Sequence, residues 1–219
     1  MIMALGTDFG GVHSSTHLRL IQQKVEVQPA APKLNLIEIP GADGSRDLSD
    51  QPAGRVVFSD RKITWTFALY PGDDWDATHS KVSGALNGAR CRITLDTDPG
   101  YYYLGRVKVS KHKIDGLLRR ITVEAACYPY KLRQQQTEVT AALGTEYTAV
   151  DLPNGRMPVV PTIIVTADTT LKFGGNTYAV SAGTHKLLDI ELQEGDNTLG
   201  AKVSDGTGAI TVLYQEGAL

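Results

Sequence analysis

A short segment near the N-terminus contains the residue types that catalyse acyl transfer. His13 is followed by Ser14 and Ser15 in the stretch GGVHSS. A catalytic serine needs a histidine base, a third group that orients the histidine, and an oxyanion hole. The sequence around His13 indicates neither of the last two, and residues this close along one strand reach each other poorly. We therefore predict a polar turn, with a serine–histidine pair as the alternative.

Two aspartates farther along the chain have the spacing of cation ligands. Asp96 and Asp98 form a D-x-D pattern, and calcium prefers carboxylate oxygens. An EF-hand loop would need more oxygen ligands and a closing glutamate, whereas Pro99 and Gly100 follow here. The pattern therefore predicts a hairpin turn over residues 96–100, with a metal site as the alternative.

Aromatic and imidazole side chains offer two further candidates. The tyrosines at 101–103 could stack on a base or a sugar, but on a strand only Tyr101 and Tyr103 share a face. We favour a packing contact within the hairpin or with another subunit. His79 has no nucleophile near it in sequence, so we interpret it as a partly covered helix residue rather than a base.

Enzyme motifs are missing from the sequence. It contains no nucleotide-binding, α/β-hydrolase, zinc-protease or paired-cysteine zinc pattern. Cys91 and Cys127 lie in apolar, strand-like contexts and are predicted to be buried thiols, and the sequence leaves open whether they are close in space. A carboxylate pair that meets only in the folded chain also stays open. We predict no catalytic residue, no metal, no cofactor and no enzymatic activity.

The charge distribution divides the chain of 219 residues. Residues 1–136 contain 18 Lys and Arg against 14 Asp and Glu, a balance of +4, and residues 137–219 contain 4 against 10, a balance of −6. The sum, −2, excludes the strongly basic surface of a protein that grips nucleic acid throughout. The asymmetry predicts two domains with different surfaces, joined near the polar stretch 134–136.

The start of the chain and its apolar runs bear on localisation. Residues 1–10 have no basic region followed by a long apolar stretch, so we expect no signal peptide. No apolar run approaches the roughly 20 residues that span a bilayer as a helix. We therefore expect the protein to be made and folded in a cytoplasm.

Period-two patterns dominate the N-terminal part and predict a mainly β domain. One helix is predicted over residues 73–88, capped by Asp73 or Asp74 and ended by Asn87 and Gly88. A bulge is expected at Gly105 and a charged turn at 111–116. Predicted strands cover 18–21, 24–27, 34–39, 55–58, 63–70, 90–95, 101–110 and 117–128.

The C-terminal part is rich in Gly and Thr and alternates short apolar runs with turn residues such as those at 174–176, 194–197 and 205–208. Many short strands separated by turns predict a β-sandwich over residues 137–219. Predicted strands cover 137–143, 159–166, 170–173, 184–192, 197–203 and 209–214.

Four phrases, in a fixed order, carry a family resemblance. They are IPGADGS at 39–45, RKITWTF at 61–67, DPGYYYLGR at 98–106 and CYPYK at 127–131, and YQEGAL closes the chain at 214–219. In this order they resemble the distal tail proteins (Dit-like) of long-tailed bacteriophages and prophages. The resemblance covers nearly the whole chain and is firmest over residues 9–132.

The resemblance implies a structural role in the virion. It implies a β-rich N-terminal domain with one helix (residues 1–136) that closes into a hexameric ring by strand pairing, which would cover the edge of a long strand such as 117–128. It implies a galectin-like or carbohydrate-binding-module-like sandwich over residues 137–219. The ring would join the tail tube to the hub or baseplate at the tail tip, let DNA pass, and assemble in the bacterial host cytoplasm.

The same resemblance implies a set of partners. They are five further copies of the chain, the tail tube protein and the tail-associated hub or lysin protein, with a receptor-binding or side-fibre protein as an additional candidate. Neither a membrane nor sequence-specific nucleic acid is expected as a partner. The alternative function is a carbohydrate-binding or host-adhesion sandwich, although the C-terminal part lacks the tryptophans that such modules use, since Trp65 and Trp75 both lie earlier.

Overall fold

The structure is a computed structural model that describes residues 5–115 and 118–219, with side-chain detail outside 111–118. The chain forms two compact units, Met1–Lys131 and Leu132–Leu219. Each unit has a hydrophobic core of its own. The mainly β fold class predicted from the sequence is confirmed, whereas the division at residue 136 into two separately folding domains stays a prediction.

The first unit is built on one antiparallel sheet and a helix. Seven strands are hydrogen-bonded in the order β2-β1-β7-β8-β9-β6-β3, and a separate short hairpin pairs β4 with β5. The strands are β1 Thr7–Phe9, β2 Val12–His13, β3 Leu20–Val27, β4 Leu36–Glu38, β5 Ser45–Asp47, β6 Arg61–Leu69, β7 Arg90–Leu95, β8 Tyr101–Asp115 and β9 Leu118–Cys127.

Alternation along β6 determines which face of this sheet is buried. Ile63, Trp65 and Phe67 are fully buried, while Thr64 and Thr66 lie on the other, partly exposed face. The ring of Phe9 packs edge-on against that of Trp65 at 5.1 Å between centroids. The period-two pattern thus fixes one apolar face and one polar face of the sheet.

The single described helix, α1 (Trp75–Leu86), lies within the predicted range. The Asp74 side chain accepts a hydrogen bond from the Ala77 N–H and caps the N-terminus, and the helix stops at Asn87. Trp75, Val82 and Leu86 are its buried residues, which follows from their spacing along one face. His79, on the same helix, is partly covered as predicted and stacks on Trp75.

Three N-terminal strand predictions are wrong in extent. The gap expected at residues 22–23 is a bulge inside β3, where the register shifts between Gln22 and Lys24. Residues 55–58 form no strand; Phe58 makes one isolated bridge to Pro32. Residues 61–62, expected in a turn, belong to β6 because they pair with β9.

The β8–β9 hairpin also differs from the prediction. The turn expected at 111–116 is strand as far as Asp115, because pairing with β9 satisfies the backbone of these charged residues; Gly116 and Leu117 lie outside the described residues. The register shift lies between Val109 and Lys111, not at Gly105. The hairpin turn at 96–100 is as predicted, and one face of β9 is buried through Ile121, Val123, Ala125 and Cys127.

The position of β9 changes the expectation about sheet edges. β9 lies between β8 and β6, so the long strand at 118–127 is internal and is not an edge. The eight-residue β3 ends the sheet on one side, and the two-residue β2 ends it on the other. The long edge of the first unit is therefore β3.

The second unit is a sandwich of two four-stranded antiparallel sheets, ordered β11-β18-β13-β16 and β12-β17-β14-β15. Their apolar faces share one core, which includes Leu152, Leu171, Val212 and Tyr214. The strands, from the junction onward, are β10 Lys131–Arg133, β11 Thr137–Leu143, β12 Thr148–Asn154, β13 Thr162–Val165, β14 Thr169–Phe173, β15 Asn176–Val180, β16 Gly183–His185, β17 Gly195–Val203, β18 Gly208–Tyr214 and β19 Gly217–Ala218.

The sandwich itself is as predicted, but its strand list needed correction. The sequence patterns missed β12 and β15, which are edge strands, and they extended β16 as far as residue 192. After His185 the chain forms no strand until an isolated bridge pairs Leu192 with Val159. Among the described residues, no helix has the length and apolarity needed to cross a membrane.

Candidate functional site

The structure places His13 between Ser15 and Asp96. The Ser15 hydroxyl lies 3.1 Å from His13 Nδ1, and His13 Nε2 lies 3.2 Å from an Asp96 carboxylate oxygen. Ser15 reaches His13 because the chain turns here rather than running as a strand. The orienting carboxylate was missed because Asp96 is 83 residues away in sequence.

These contacts serve to tie two turns together. The Asp96 carboxylate also accepts the Gly6 N–H at 2.7 Å, and the His13 carbonyl accepts the His17 N–H at 3.0 Å. His13 therefore connects the turn that follows β2 to the turn between β7 and β8. The polar turn predicted from the sequence is what the geometry supports.

The two aspartates of the D-x-D pattern contact different groups. Asp96 contacts His13 and Gly6, whereas Asp98 pairs with Lys131 Nζ at 2.7 Å. This hydrogen bond with Asp98 raises the pKa of Lys131. Across residues 5–115 and 118–219, no three His, Cys, Asp or Glu side chains converge as a metal site would require.

Each of the three consecutive tyrosines packs against a cation. Lys131 Nζ lies 4.4 Å from the ring centroid of Tyr101. The guanidinium carbons of Arg92 and Arg61 lie 4.7 and 5.5 Å from the centroids of Tyr102 and Tyr103. Tyr102 and Tyr103 are both 6% exposed, so they form packing contacts rather than an open stacking platform.

The two cysteines flank a glycine on the buried face of the sheet. Cys91 and Cys127 both pair with Gly105, from β7 and β9, and both are free thiols. Two strand spacings, about 10 Å, separate their backbones, which is beyond disulfide reach. A Cβ at Gly105 would lie 2.5 Å from Cys127 Sγ, so any larger residue would force its neighbours to shift. Burial raises the pKa of the Cys127 thiol to about 12.

An extended arm, residues 28–58, leaves the sheet between β3 and β6. Its two legs are hydrogen-bonded at the base, where Lys33 N–H donates to Val57 O and Ser59 N–H donates to Ala31 O, both at 2.8 Å. The β4–β5 hairpin forms its outer part. All of the arm is described, and Ser49 is its only buried residue. The arm is thus ordered by backbone pairing without a core.

The arm carries most of the exposed large apolar side chains of the first unit. They are Leu34 (63% exposed), Leu36 (51%), Ile37 (46%), Ile39 (47%) and Val56 (37%). Several exposed apolar side chains in one element indicate a surface that another molecule covers. The sequence patterns predicted strands at 34–39 and 55–58 and therefore gave no sign that these residues would be exposed.

The open face of the sheet bears a groove across β8, β9 and β6. Its cavity has a volume of about 640 Å³. Ala126, which is exposed, lies on its floor, and Lys62, Arg106, Lys108 and Glu124 form its walls. The groove exists because a one-carbon side chain at position 126 lies in register between the long side chains of Lys62 and Arg106.

The walls of this groove are mainly basic. Lys62 Nζ pairs with Glu124 at 2.9 Å, and that hydrogen bond lowers the pKa of the Glu124 carboxyl. Arg106 donates a hydrogen bond to the Gly88 carbonyl at 2.7 Å. Arg90 and Tyr128 continue the surface through an adjoining pocket that shares Arg106 and Ala126. Positive charge therefore exceeds negative charge around an apolar floor.

The second unit has one exposed aromatic on a sheet face. Tyr147 is 45% exposed, and Lys202 Nζ lies 4.9 Å from its ring centroid. The ring runs alongside Gly200, where an added Cβ would lie 3.5 Å from Tyr147 Cδ1. This side chain forms a small aromatic surface with a cation at its margin.

Comparison with known proteins finds a similar fold among solved structures. No family model matches the sequence, and no curated protein matches it either. The crystal structure of the Dit protein of phage SPP1, described as a paradigm of the hub adsorption apparatus in phages that infect Gram-positive bacteria, is similar in fold. The TM-score is 0.68 at 15% identity, over 96% of this chain and 98% of that one. The resemblance inferred from the sequence phrases is therefore confirmed as one of fold: this chain has the Dit fold along nearly its whole length.

Proposed function

We propose that this protein is a structural subunit of the tail tip of a long-tailed phage or prophage. In this role six copies form a ring that joins the tail tube to the hub or baseplate and lets DNA pass. The observation that carries the proposal is the likeness to SPP1 Dit over nearly the full length of both chains. A likeness that includes both units indicates a shared architecture rather than one common module.

Two features of the first unit support assembly into a ring. The β3 edge, eight residues long, offers unpaired backbone groups to a strand of another molecule. The arm offers apolar side chains that its own copy leaves exposed. If each of these features contacts a different kind of surface on the next copy, the contacts generate closed rings or helical filaments rather than simple dimers.

The remaining parts of the proposal concern partners and place. The tail tube protein and the tail-associated hub or lysin protein bind opposite faces of the ring, and a receptor-binding or side-fibre protein is a further candidate. The protein acts in the virion tail after assembly in the host cytoplasm. In this role the protein acts by binding its partners.

The proposal is tested by the mass and shape of the particle. Native mass spectrometry and negative-stain images should give rings of six copies, alone at high concentration or with the tail tube or hub protein added. A strictly monomeric protein that joins neither partner at high concentration overturns the proposal.

A glycan-binding role for the C-terminal sandwich is the second candidate. Tyr147 favours it, because an exposed ring beside a lysine is a surface on which a sugar can stack. A glycan array probed with the full chain and with Tyr147→Ala separates the two roles. Binding that the substitution abolishes supports adhesion; no binding by either protein removes this candidate and leaves the tail-tip role intact.

A further inference from the structure

We propose that the arm of one copy docks into the basic groove of the next copy. This inference rests on the proposed function, because it names the contact that would close the ring. It assigns a role to the arm, with its exposed apolar side chains, and to the groove on the open sheet face. Neither feature is explained by the folding of a single chain.

The arm has the chemistry of a ligand for such a groove. Leu36 and Ile37 of the β4–β5 hairpin are each about half exposed. The arm's outer part, residues 36–50, also carries Glu38, Asp43, Asp47 and Asp50 against a single Arg46. The Ser49 hydroxyl donates to Asp47 and lowers the pKa of that carboxyl, so it stays ionised. The outer arm is thus apolar and acidic.

The groove has the complementary chemistry. Ala126 and exposed backbone form a floor that receives apolar side chains, in a volume of about 640 Å³. Lys62 and Glu124 are paired, so their charges offset each other. The positive charges of Arg106, Lys108 and the neighbouring Arg90 then outnumber the negative charge of Asp60. Complementary charge around an apolar centre gives a contact both its specificity and its attraction.

The connectivity points to a second copy as the occupant. Although the whole arm is described, none of its residues lines the groove of its own copy. The legs outside the hairpin are about eight residues long, enough to extend up to roughly 26 Å. The contact joins two different surfaces, so each copy gives one arm and receives another, and six such contacts close a ring.

Cross-linking between copies tests the contact directly. The first variant combines Ile37→Cys with Ala126→Cys in the full chain, which is then treated with a short bis-maleimide. A second variant carries Leu36→Cys in place of Ile37→Cys, so that both faces of the hairpin are sampled. At least one variant should give a covalent ladder up to the hexamer. The wild type gives the background from Cys91 and Cys127, and Leu188→Cys with Ala126→Cys is the matched control, since Leu188 is 79% exposed outside the arm.

Charge exchange tests specificity. Arg90→Glu with Lys108→Glu should weaken association at least tenfold in sedimentation, and so should Glu38→Lys with Asp43→Lys. An equimolar mixture of the two variants, or all four changes in one chain, should recover association. All four side chains lie at the protein surface, and the circular dichroism spectrum of each variant should match that of the wild type.

The outcomes separate this inference from the proposed function. Rings that form without cross-links in either variant, and that tolerate both charge reversals, overturn arm docking while the ring stands. A ladder that continues past six copies supports the docking and contradicts ring closure. A chain that never associates, alone or with tail partners, overturns both.

Discussion

The two units of this chain differ in where their exposed large apolar side chains lie. The C-terminal sandwich buries the apolar faces of both of its sheets against each other, and its exposed large apolar residues are the scattered Tyr147, Leu188 and Leu219. The N-terminal unit has an equally closed core but carries an arm with five exposed large apolar residues, 34–56. Exposed apolar surface concentrated in one element is typical of a surface that another molecule covers.

The net charge also differs between the N-terminal and C-terminal parts of the chain. The N-terminal part is basic overall and leaves a basic groove on its open sheet face, whereas the C-terminal part is acidic. The comparison contrasts a unit that buries its large apolar side chains with a unit that leaves several of them exposed in one element. The four predictions below test this contrast, from the largest expected effect to the smallest.

Separating the units should give the largest effect. A chain ending at Lys131 should fold and still associate, while residues 132–219 alone should fold as a monomer, because each has its own core. The second piece starts at Leu132 because the Arg133 N–H donates to the Glu216 carbonyl within that unit. Circular dichroism and sedimentation measure both. Insoluble or purely monomeric 1–131, when the full chain forms rings, contradicts the two-unit division.

Trp65→Ala should destabilise the N-terminal unit by about 3–5 kcal/mol. Trp65 is fully buried, packs on Phe9, and donates from Nε1 to Thr7 Oγ1 at 3.0 Å. Calorimetry should show one transition moved to lower temperature and the other unchanged. The matched substitution is Leu199→Ala, fully buried in the other unit, which should move only the second transition. Equal movement of both transitions would show that the units unfold together.

Gly105→Ala should cost about 1–3 kcal/mol by overpacking. The new methyl group would lie 2.5 Å from Cys127 Sγ and 2.7 Å from the Ala126 carbonyl oxygen, and a backbone oxygen cannot move aside cheaply. Gly100→Ala is the control, because nothing lies within 4 Å of its added Cβ. Denaturant unfolding measures both variants. A wild-type midpoint for Gly105→Ala would mean that β8 and β9 are farther apart than described.

The Cys127 thiol should give the smallest effect, visible only at alkaline pH. Burial raises its pKa from 9.0 to about 12, so above pH 9 the unfolded chain loses this proton before the folded one. Stability therefore falls as pH rises above 9, and between pH 9 and 10 the loss is at most roughly 1.4 kcal/mol. Cys127→Ala should lose this slope relative to the wild type between pH 9 and 10. At pH 8 the folded thiol should resist labelling; fast labelling would contradict its burial.

Local patterns predicted the elements that are half buried. Each of these elements shows a clean alternation or a spacing of three to four residues, because one of its faces is buried and the other is exposed to solvent. They are β6, β7, β11, β14 and α1. The missed β12 contains Pro153, which normally argues against a strand. Pro153 is tolerated because β12 is an edge strand. On the open side of an edge strand, a missing N–H costs no hydrogen bond to a neighbouring strand. Edge position is a property of the sheet and cannot be read from the segment.

The candidate surfaces were harder to predict than the elements. The arm was predicted as ordinary strands because Leu36, Ile37 and Ile39 look like core residues in sequence. The groove requires Lys62, Arg106 and Ala126 to lie opposite one another on three paired strands that are far apart in the chain. The Asp96 contact to His13 likewise spans 83 residues. Each depends on long-range pairing that no local pattern encodes.

The sequence by itself determined the mainly β class, the single helix, the sandwich in the C-terminal part and the likeness in fold to a tail-hub protein. These depend on side-chain periodicity, turn residues and ordered phrases, all of which are local. Tertiary structure alone decided that β9 is internal, that the arm leaves its apolar residues exposed, and that a basic groove opens at Ala126. The reason is physical: burial and edge position are set by which strands pair, and pairing joins residues that are distant in sequence.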